Sequence, residues 1–145
     1  MDTNDRAGGP GAHLLEHARD LAPGVALVLG CADGADVVWL AERGWRVTGV
    51  DADETALERA RRRAGEAGVA DRTSWRRGGE ELPAGADLVA VHDEALPPGG
   101  LGAVAEVVRH GGTLLVAGSS ETATLGSGWQ VDGCDGHVVA RRSEA

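Results

Sequence analysis

The residues of this chain that could act together chemically are a glycine-bearing turn and an aspartate at a fixed distance after it. The turn runs from Gly30 to Gly34, and Asp51 stands 21 positions after Gly30. In a βαβ unit such a turn lies beneath a bound nucleoside, and an acid at the end of the second strand accepts hydrogen bonds from ribose hydroxyls. The spacing therefore predicts a nucleoside site in which Asp51 holds the ribose.

The segments around these residues have the patterns that such a unit needs. Val25 to Leu29 is a short apolar run, typical of a central parallel strand that is covered on both faces. Ala35 to Glu42 has helical spacing, and Gly44 is placed to end that helix. Arg46 to Val50 is the next predicted strand, and it leads directly into Asp51.

A third candidate group follows the predicted fourth strand, Asp87 to Val91. His92 comes directly after that strand and is the only good candidate for a general base, because imidazole can take up a proton near neutral pH. The alternative is that His92 caps the strand end. For Asp93 and Glu94 the sequence favours solvated or capping positions over catalysis.

Strand and helix patterns alternate through five predicted strands and are followed by a short terminal hairpin. This order predicts a single doubly wound α/β domain from residue 12 to 145, with a mostly parallel, Rossmann-like sheet and right-handed crossovers. Met1 to Gly11 is polar and glycine-rich, and we expect it to be disordered. The other predicted elements are helices over Ala12–Leu21, Asp53–Ala67 and Leu101–His110, strands over Thr73–Arg76 and Thr113–Ala117, and hairpin strands over Trp129–Val131 and His137–Ala140.

Composition excludes several partners. The net charge of −9 argues against nucleic acid or an anionic membrane surface, because no basic stripe could offset it. Four clustered arginines on one predicted helix favour a solvated face over a phosphate site: Arg59, Arg61, Arg62 and Arg63. No apolar run approaches the length of a membrane span and no signal peptide is recognised, so we expect a soluble, cytoplasmic protein.

Metal and disulfide chemistry are not expected. His13 and His17 lie four positions apart, but no third ligand follows at a suitable distance, so surface histidines are favoured over a metal site. Cys31 and Cys134 are too few for a disulfide framework. We expect Cys31 to pack inside the turn as a small apolar residue.

These segments together resemble class I S-adenosylmethionine-dependent methyltransferases of the small bacterial type. The segments that carry the resemblance are LVLGCADGADVVWLAERGWRVTGVDADETALERAR, DLVAVHDEALPP and RHGGTLLVAG. The resemblance covers roughly Leu14 to Gly118, and it implies the methyltransferase type of doubly wound sheet and S-adenosylmethionine as cofactor.

The resemblance also implies roles for individual residues. Asp51 would bind both ribose hydroxyls and Ala52 would flank the adenine. His92, Asp93 and Glu94 would line the reaction site, where His92 would also contact the cofactor. Gly79 and Glu80 fall where the third strand of the family ends near the adenine amine. The turn residues expected under the methionine and ribose are Gly30, Cys31, Ala32 and Gly34.

Several positions depart from the family pattern. Val28 stands where an acid usually helps to hold the amino-acid end of the cofactor, and Ala32 replaces the middle glycine of the turn. Gly78 and Gly79 occupy the position of the acid that contacts the adenine amine, with Glu80 one step late. The segment from Gly118 to Gly128 has no room for the helix that the family adds, and no substrate-covering segment is recognised upstream.

Three functions are compatible with this sequence. The first is an active methyltransferase for a small molecule. The second is a non-catalytic relative that keeps the scaffold, with weak nucleoside binding or a protein partner. A truncated, bare sheet edge would leave apolar surface on the fifth strand and on the helix before it, which a homodimer could cover. The third is an NAD-binding protein, because Gly30 to Ala35 reads as a degraded G-x-A-x-x-A fingerprint. The later strands favour the methyltransferase pattern over this third function.

Overall fold

A computed structural model describes residues 18–31, 34–78, 82–92, 100–117, 128–134 and 137–143. The predicted tail, most of the predicted first helix, His13 and His17 lie outside these ranges. The strands are β1 Val25–Leu29, β2 Arg46–Asp51, β3 Thr73–Arg77, β4 Ala86–His92, β5 Val108–Ala117, β6 Trp129–Cys134 and β7 His137–Arg142. The helices are α1 Ala35–Glu42, α2 Glu54–Glu66 and α3 Gly100–Val107, with a 3₁₀ turn over Ala70–Arg72.

The strands form one sheet in the order β3-β2-β1-β4-β5-β7-β6. Neighbours from β3 to β5 are parallel, whereas β7 is antiparallel to both β5 and β6. The predicted doubly wound sheet and terminal hairpin are therefore confirmed. One expectation about the sheet edge was wrong: β7 covers β5, so the fifth strand does not offer the bare edge from which a homodimer was inferred.

The central strand β1 is buried on both faces, as its apolar run predicts. Ala26 and Val28 belong to the core under α1 and α2, whereas Leu27 and Leu29 belong to the core under α3. Trp45 is buried, and the other three tryptophans are partly buried against these two cores. None of the helices in the described ranges is long and apolar enough to span a membrane.

The start of α2 follows the predicted capping chemistry. Asp53 has an extended backbone, and its Oδ1 accepts a hydrogen bond from the Thr55 N–H at 3.0 Å. This bond satisfies one of the N–H groups that the first helical turn leaves without a partner. The loop between β2 and α2, which directly follows Asp51, is thus fixed at its helical end.

The boundary between α3 and β5 differs from the prediction. The helix was expected to reach His110, but it ends at Val107 and the strand begins at Val108. The side chain of Arg142 donates to the Val108 carbonyl oxygen at 2.5 Å, and the Gly85 N–H donates to the Val107 carbonyl oxygen at 2.9 Å. Arg142 also donates to the Ala105 carbonyl oxygen at 3.5 Å, which a helix reaching His110 would pair with the N–H of Arg109.

A bulge follows at the start of β5. Ala86 pairs with Val108 and Leu88 pairs with Thr113, so residues 109–112 lie opposite the single residue Asp87. The carboxylate of Asp87 forms two hydrogen bonds at this bulge. Its Oδ2 accepts one from the Val25 N–H at 2.8 Å, and its Oδ1 accepts one from the Arg109 guanidinium. One carboxylate therefore joins the amino ends of β1, β4 and β5.

The charged form of Asp87 is stabilised by these contacts. Burial raises the pKa of Asp87, but the Val25 hydrogen bond and the Arg109 guanidinium outweigh burial and leave the pKa below its ordinary value. A carboxyl group whose pKa is lowered by folding contributes stability above its unfolded pKa, which is about 3.9. That contribution is lost as the pH falls from about 3.9 through the folded pKa.

We predict that Asp87→Asn lowers the free energy of unfolding by about 1–3 kcal/mol at pH 7, because a charged acceptor of two hydrogen bonds is lost. Urea unfolding at pH 7 and pH 3 should show the difference between wild type and variant shrinking at the lower pH. Glu58→Gln, on the exposed side of α2, is the control and should change stability by no more than about 0.5 kcal/mol. An equal deficit of Asp87→Asn at both pH values would contradict this account.

Candidate functional site

The carboxyl ends of the central strands meet at one edge of the sheet. Leu29 is in register with Val50 of β2 and with Val91 of β4. The residues just beyond these positions, Asp51 and His92, therefore follow the same edge as the turn after β1. The strand order reverses between β1 and β4 at this edge, which is where doubly wound sheets form their ligand crevice.

The turn after β1 is held against the end of β2. The N–H groups of Gly30 and Cys31 both donate to the Val50 carbonyl oxygen, at 2.7 and 3.0 Å. The Gly34 N–H then donates to the Cys31 carbonyl oxygen at 2.9 Å and closes the turn. Gly30 and Gly34 have φ of 77° and 88°, a left-handed backbone that favours glycine. Cys31 is buried in the core beneath α1, as expected.

Asp51 lies at the crevice edge, and its carboxylate accepts a hydrogen bond from the loop that follows. Its Oδ1 accepts a hydrogen bond from the Asp53 N–H at 2.9 Å, and its side chain is only partly buried. The Gly78 N–H donates to the Asp51 carbonyl oxygen at 3.1 Å, which extends the β2–β3 pairing by one residue. This short local bond orients the acid that the sequence predicts to hold the ribose.

Ala52 is exposed beside the end of β3. A Cβ atom added to Gly78 would lie 3.5 Å from Ala52, so these two small residues leave little side-chain bulk between the ends of β2 and β3. This is the position at which the resemblance places the adenine. The structure therefore brings Ala52 and Asp51 together on the predicted nucleoside side of the crevice.

Sequence reasoning missed a charged group at this end of the site. Arg77 is in register with Asp51, and its Nε lies 3.6 Å from Oε1 of Glu54, in the first turn of α2. Arg61 approaches the other oxygen of Glu54 at 3.7 Å. These side chains are about half exposed, so the ion pairs contribute little stability. The sequence could have indicated this charge, because Arg77 directly precedes the position at which the resemblance expects an acid.

Several of the predicted site residues are not placed by the structure. Ala32, Gly79 and Glu80 lie outside the described residues, as do Asp93 and Glu94. The backbone of His92 is described at the end of β4, where it pairs with Ala117 of β5, but its side chain is not. The roles assigned to these residues remain predictions. Within the described ranges, no three His, Cys, Asp or Glu side chains are grouped closely enough to hold a metal ion.

The described residues fit the nucleoside part of S-adenosylmethionine. Asp51 would supply a carboxylate for ribose hydroxyls, beside a turn whose described residues, Gly30, Cys31 and Gly34, are small. The amino-acid part is less well provided for, because Val28 is 1% exposed and packs within the core between Gly49 and Ala90. The acid that the resemblance leads one to expect at this position has no replacement on β1.

The sequence profile of the methyltransferase domain family matches residues 26–112, which is more than half of the chain. The chain belongs to this family. The match begins in β1 and ends in β5, so it contains the turn, Asp51 and His92. The class I S-adenosylmethionine-dependent methyltransferase resemblance and the corresponding fold are thereby confirmed.

Solved methyltransferase structures share this fold. A methyltransferase from Geobacter sulfurreducens superimposes with a TM-score of 0.76 at 17% identity, over 99% of this chain and 80% of that one. The O-methyltransferase TomG from Streptomyces achromogenes, solved with S-adenosylmethionine, gives 0.65 at 18% identity, over 90% and 77%. A second Geobacter sulfurreducens enzyme, bound to S-adenosylhomocysteine, gives 0.62 at 28% identity, over 74% of this chain and 48% of that one. The chain thus spans less than half of that last protein.

Among curated protein sequences, none matches this chain.

We predict that Gly34→Ala destabilises the protein by at least about 1–2 kcal/mol, the cost of a left-handed backbone for a residue with a Cβ atom. The added methyl would also lie 2.7 Å from the Cβ of Ala60 on α2. Gly65→Ala is the matched control, because a Cβ there meets nothing within 4 Å. In that helical position alanine should stabilise by about 0.5–1 kcal/mol. Chemical denaturation of both variants tests the difference, and equal effects would contradict it.

Proposed function

We propose that this protein is an S-adenosylmethionine-dependent methyltransferase that acts on a small molecule. The observation that carries the proposal is the position of Asp51, which directly follows Val50, the residue whose carbonyl oxygen holds the glycine turn at the carboxyl edge of the sheet. This supports a bound nucleoside with its ribose at Asp51 and its reactive end directed toward β4. The neighbours solved with S-adenosylmethionine or S-adenosylhomocysteine support the same cofactor.

The proposed chemistry depends on placing two reactants rather than on a reactive side chain. When bound, S-adenosylmethionine supplies a methyl group on a positively charged sulfur, which a nucleophile attacks in line. The protein would contribute by holding the ribose through Asp51 and by fixing the turn beneath the ligand, so that the two reactants meet in a productive geometry. His92, at the end of β4, would accept the proton that an acceptor hydroxyl or amine releases.

Proposed partners follow from charge and fold. A net charge of −9 supports a small-molecule acceptor over nucleic acid, and a cytoplasmic location is part of the same proposal. A homodimer remains a proposal without the support of a bare β5 edge.

A second candidate function is a non-catalytic member of the family. The observation that favours it is Val28, which is buried where relatives have an acid for the amino-acid end of the cofactor. A protein of this kind would bind the nucleoside weakly or serve as a scaffold for a partner.

The NAD-binding alternative has less support, because β7 runs antiparallel between β5 and β6 in a sheet of methyltransferase order, whereas the dinucleotide fold has the order 3-2-1-4-5-6.

We predict that wild-type protein binds S-adenosylhomocysteine in calorimetric titration and that Asp51→Asn weakens this binding by about 10- to 100-fold, since a charged acceptor of ribose hydrogen bonds is lost. Asparagine keeps an oxygen for the Asp53 N–H, so the loop should retain its conformation. Asp53→Asn is the matched control, because it preserves the cap of α2. Titration with NAD in parallel separates the alternatives: NAD binding without S-adenosylhomocysteine binding would overturn the proposal, and binding of neither would support the non-catalytic function.

We predict that His92→Ala lowers methyl transfer by about 10²- to 10⁴-fold, the usual contribution of a general base. The measurement is release of S-adenosylhomocysteine from S-adenosylmethionine with a panel of small hydroxyl and amine acceptors. Calorimetric affinity for S-adenosylhomocysteine should fall far less than methyl transfer in this variant, because the ribose would be held at Asp51. Full turnover by His92→Ala would exclude the general-base role and leave His92 as a residue that caps the end of β4.

A further inference from the structure

Trp75 of β3 packs beside Gly34 of the glycine turn, on the face of the sheet that α1 and α2 cover. It is partly buried, between the exposed residues Ser74 and Arg76, and it packs against the core that α1 and α2 cover. Its indole is the only large side chain that β3 contributes to this core. The sequence analysis assigned Trp75 no role beyond filling space.

The indole reaches across β2 because Gly49 leaves room for it. Gly49 is in register with Trp75, and a Cβ atom added to Gly49 would lie 2.8 Å from Cζ3 and 3.0 Å from Cε3 of the ring. The same added atom would lie 3.0 Å from Val37 of α1. Any residue larger than glycine at this position would displace either the ring or the helix.

The far end of the ring reaches the turn itself. Cη2 of Trp75 lies 3.5 Å from the position that a Cβ atom on Gly34 would take. The Cβ of Ala60 on α2 lies 2.7 Å from the same position. Gly34 closes the turn through its bond to Cys31 and begins α1, since its carbonyl oxygen accepts from the Val38 N–H at 2.9 Å. The turn is therefore held by hydrogen bonds to β2 at its first residues and by packing against Trp75 and Ala60 at its last.

We infer that Trp75 is a positioning residue for the glycine turn and thereby sets the affinity for S-adenosylmethionine. The inference rests on the proposed function, because the turn is the surface on which that cofactor would lie. A rigid turn requires no ordering when the ligand binds, whereas a turn freed at Gly34 loses affinity although every ligand-contacting residue is unchanged.

The test compares Trp75→Leu with Trp129→Leu. Trp129 is the matched control, because it is also partly buried but packs against the core on the other face of the sheet. Calorimetric titration with S-adenosylhomocysteine, at a temperature where both variants are folded, should show about tenfold weaker binding for Trp75→Leu and unchanged binding for Trp129→Leu. Hydrogen exchange of the free protein should rise at residues 30–34 in the Trp75 variant alone.

Trp75→Phe gives a milder version of the same test. Its shorter ring can cover Gly49 but cannot reach Gly34, so we expect a loss of affinity between those of wild type and Trp75→Leu. This variant also keeps the inference testable if Trp75→Leu fails to fold.

A double-variant comparison tests the route through Gly49. Gly49→Ala should weaken binding in the wild-type background, because its methyl displaces the indole. In the Trp75→Leu background the close contacts with the ring are gone and only the one with Val37 remains, so the second change should cost less than it does alone. Additive losses would show that Gly49 acts independently of Trp75.

The outcomes separate this inference from the function on which it rests. If the wild type does not bind S-adenosylhomocysteine, the proposed function and the positioning role fail together. If the wild type binds and Trp75→Leu binds equally well, or if Trp129→Leu weakens binding as much as Trp75→Leu does, the positioning role alone is overturned.

Discussion

The carbonyl oxygen of Val50 accepts hydrogen bonds from the N–H groups of both Gly30 and Cys31, and the geometry of the candidate site depends on these two bonds. These two bonds turn the chain at the end of β1 so that the turn lies directly beside Asp51, the residue after Val50. They extend the pairing of β1 with β2 beyond Leu29 and attach the turn to the residue that precedes the predicted ribose acid. The candidate nucleoside site depends on this backbone contact, because it fixes the relative position of its two parts.

The residues of the candidate ligand site and the residues that stabilise the strand starts lie at opposite edges of the sheet. The carboxyl edge carries Asp51 and the end of β4, where ligands bind in doubly wound folds. The amino edge carries Asp87, which joins β1, β4 and β5 through Val25 and Arg109. This separation allows the crevice side chains to remain partly exposed while the strand starts are held by a charged hydrogen-bond network.

The departures from the family pattern affect one half of the proposed ligand more than the other. The nucleoside half retains its acid and its closed turn, and the small residues Ala52 and Gly78 leave space beside them. The amino-acid half has Val28, which belongs to the apolar core. Arg77 adds a positive charge near the adenine end, partly balanced by Glu54. An active enzyme of this kind would therefore depend strongly on ribose contacts and on the rigidity of its turn.

The sequence by itself determined the strand-turn-helix-strand unit, its bounds and the position of Asp51, because these depend on short-range patterns of apolar residues, glycines and one cap. It could not place the end of α3, since the carbonyls there are taken by Arg142, 34 residues beyond Val108. It also could not show that β7 covers β5, because strand pairing between distant segments leaves no local pattern. Only the tertiary structure brought Trp75 against Gly34, across a strand that has no side chain at Gly49. Contacts of this kind depend on which segments pack together, and that is decided by the folded core rather than by any one stretch of sequence.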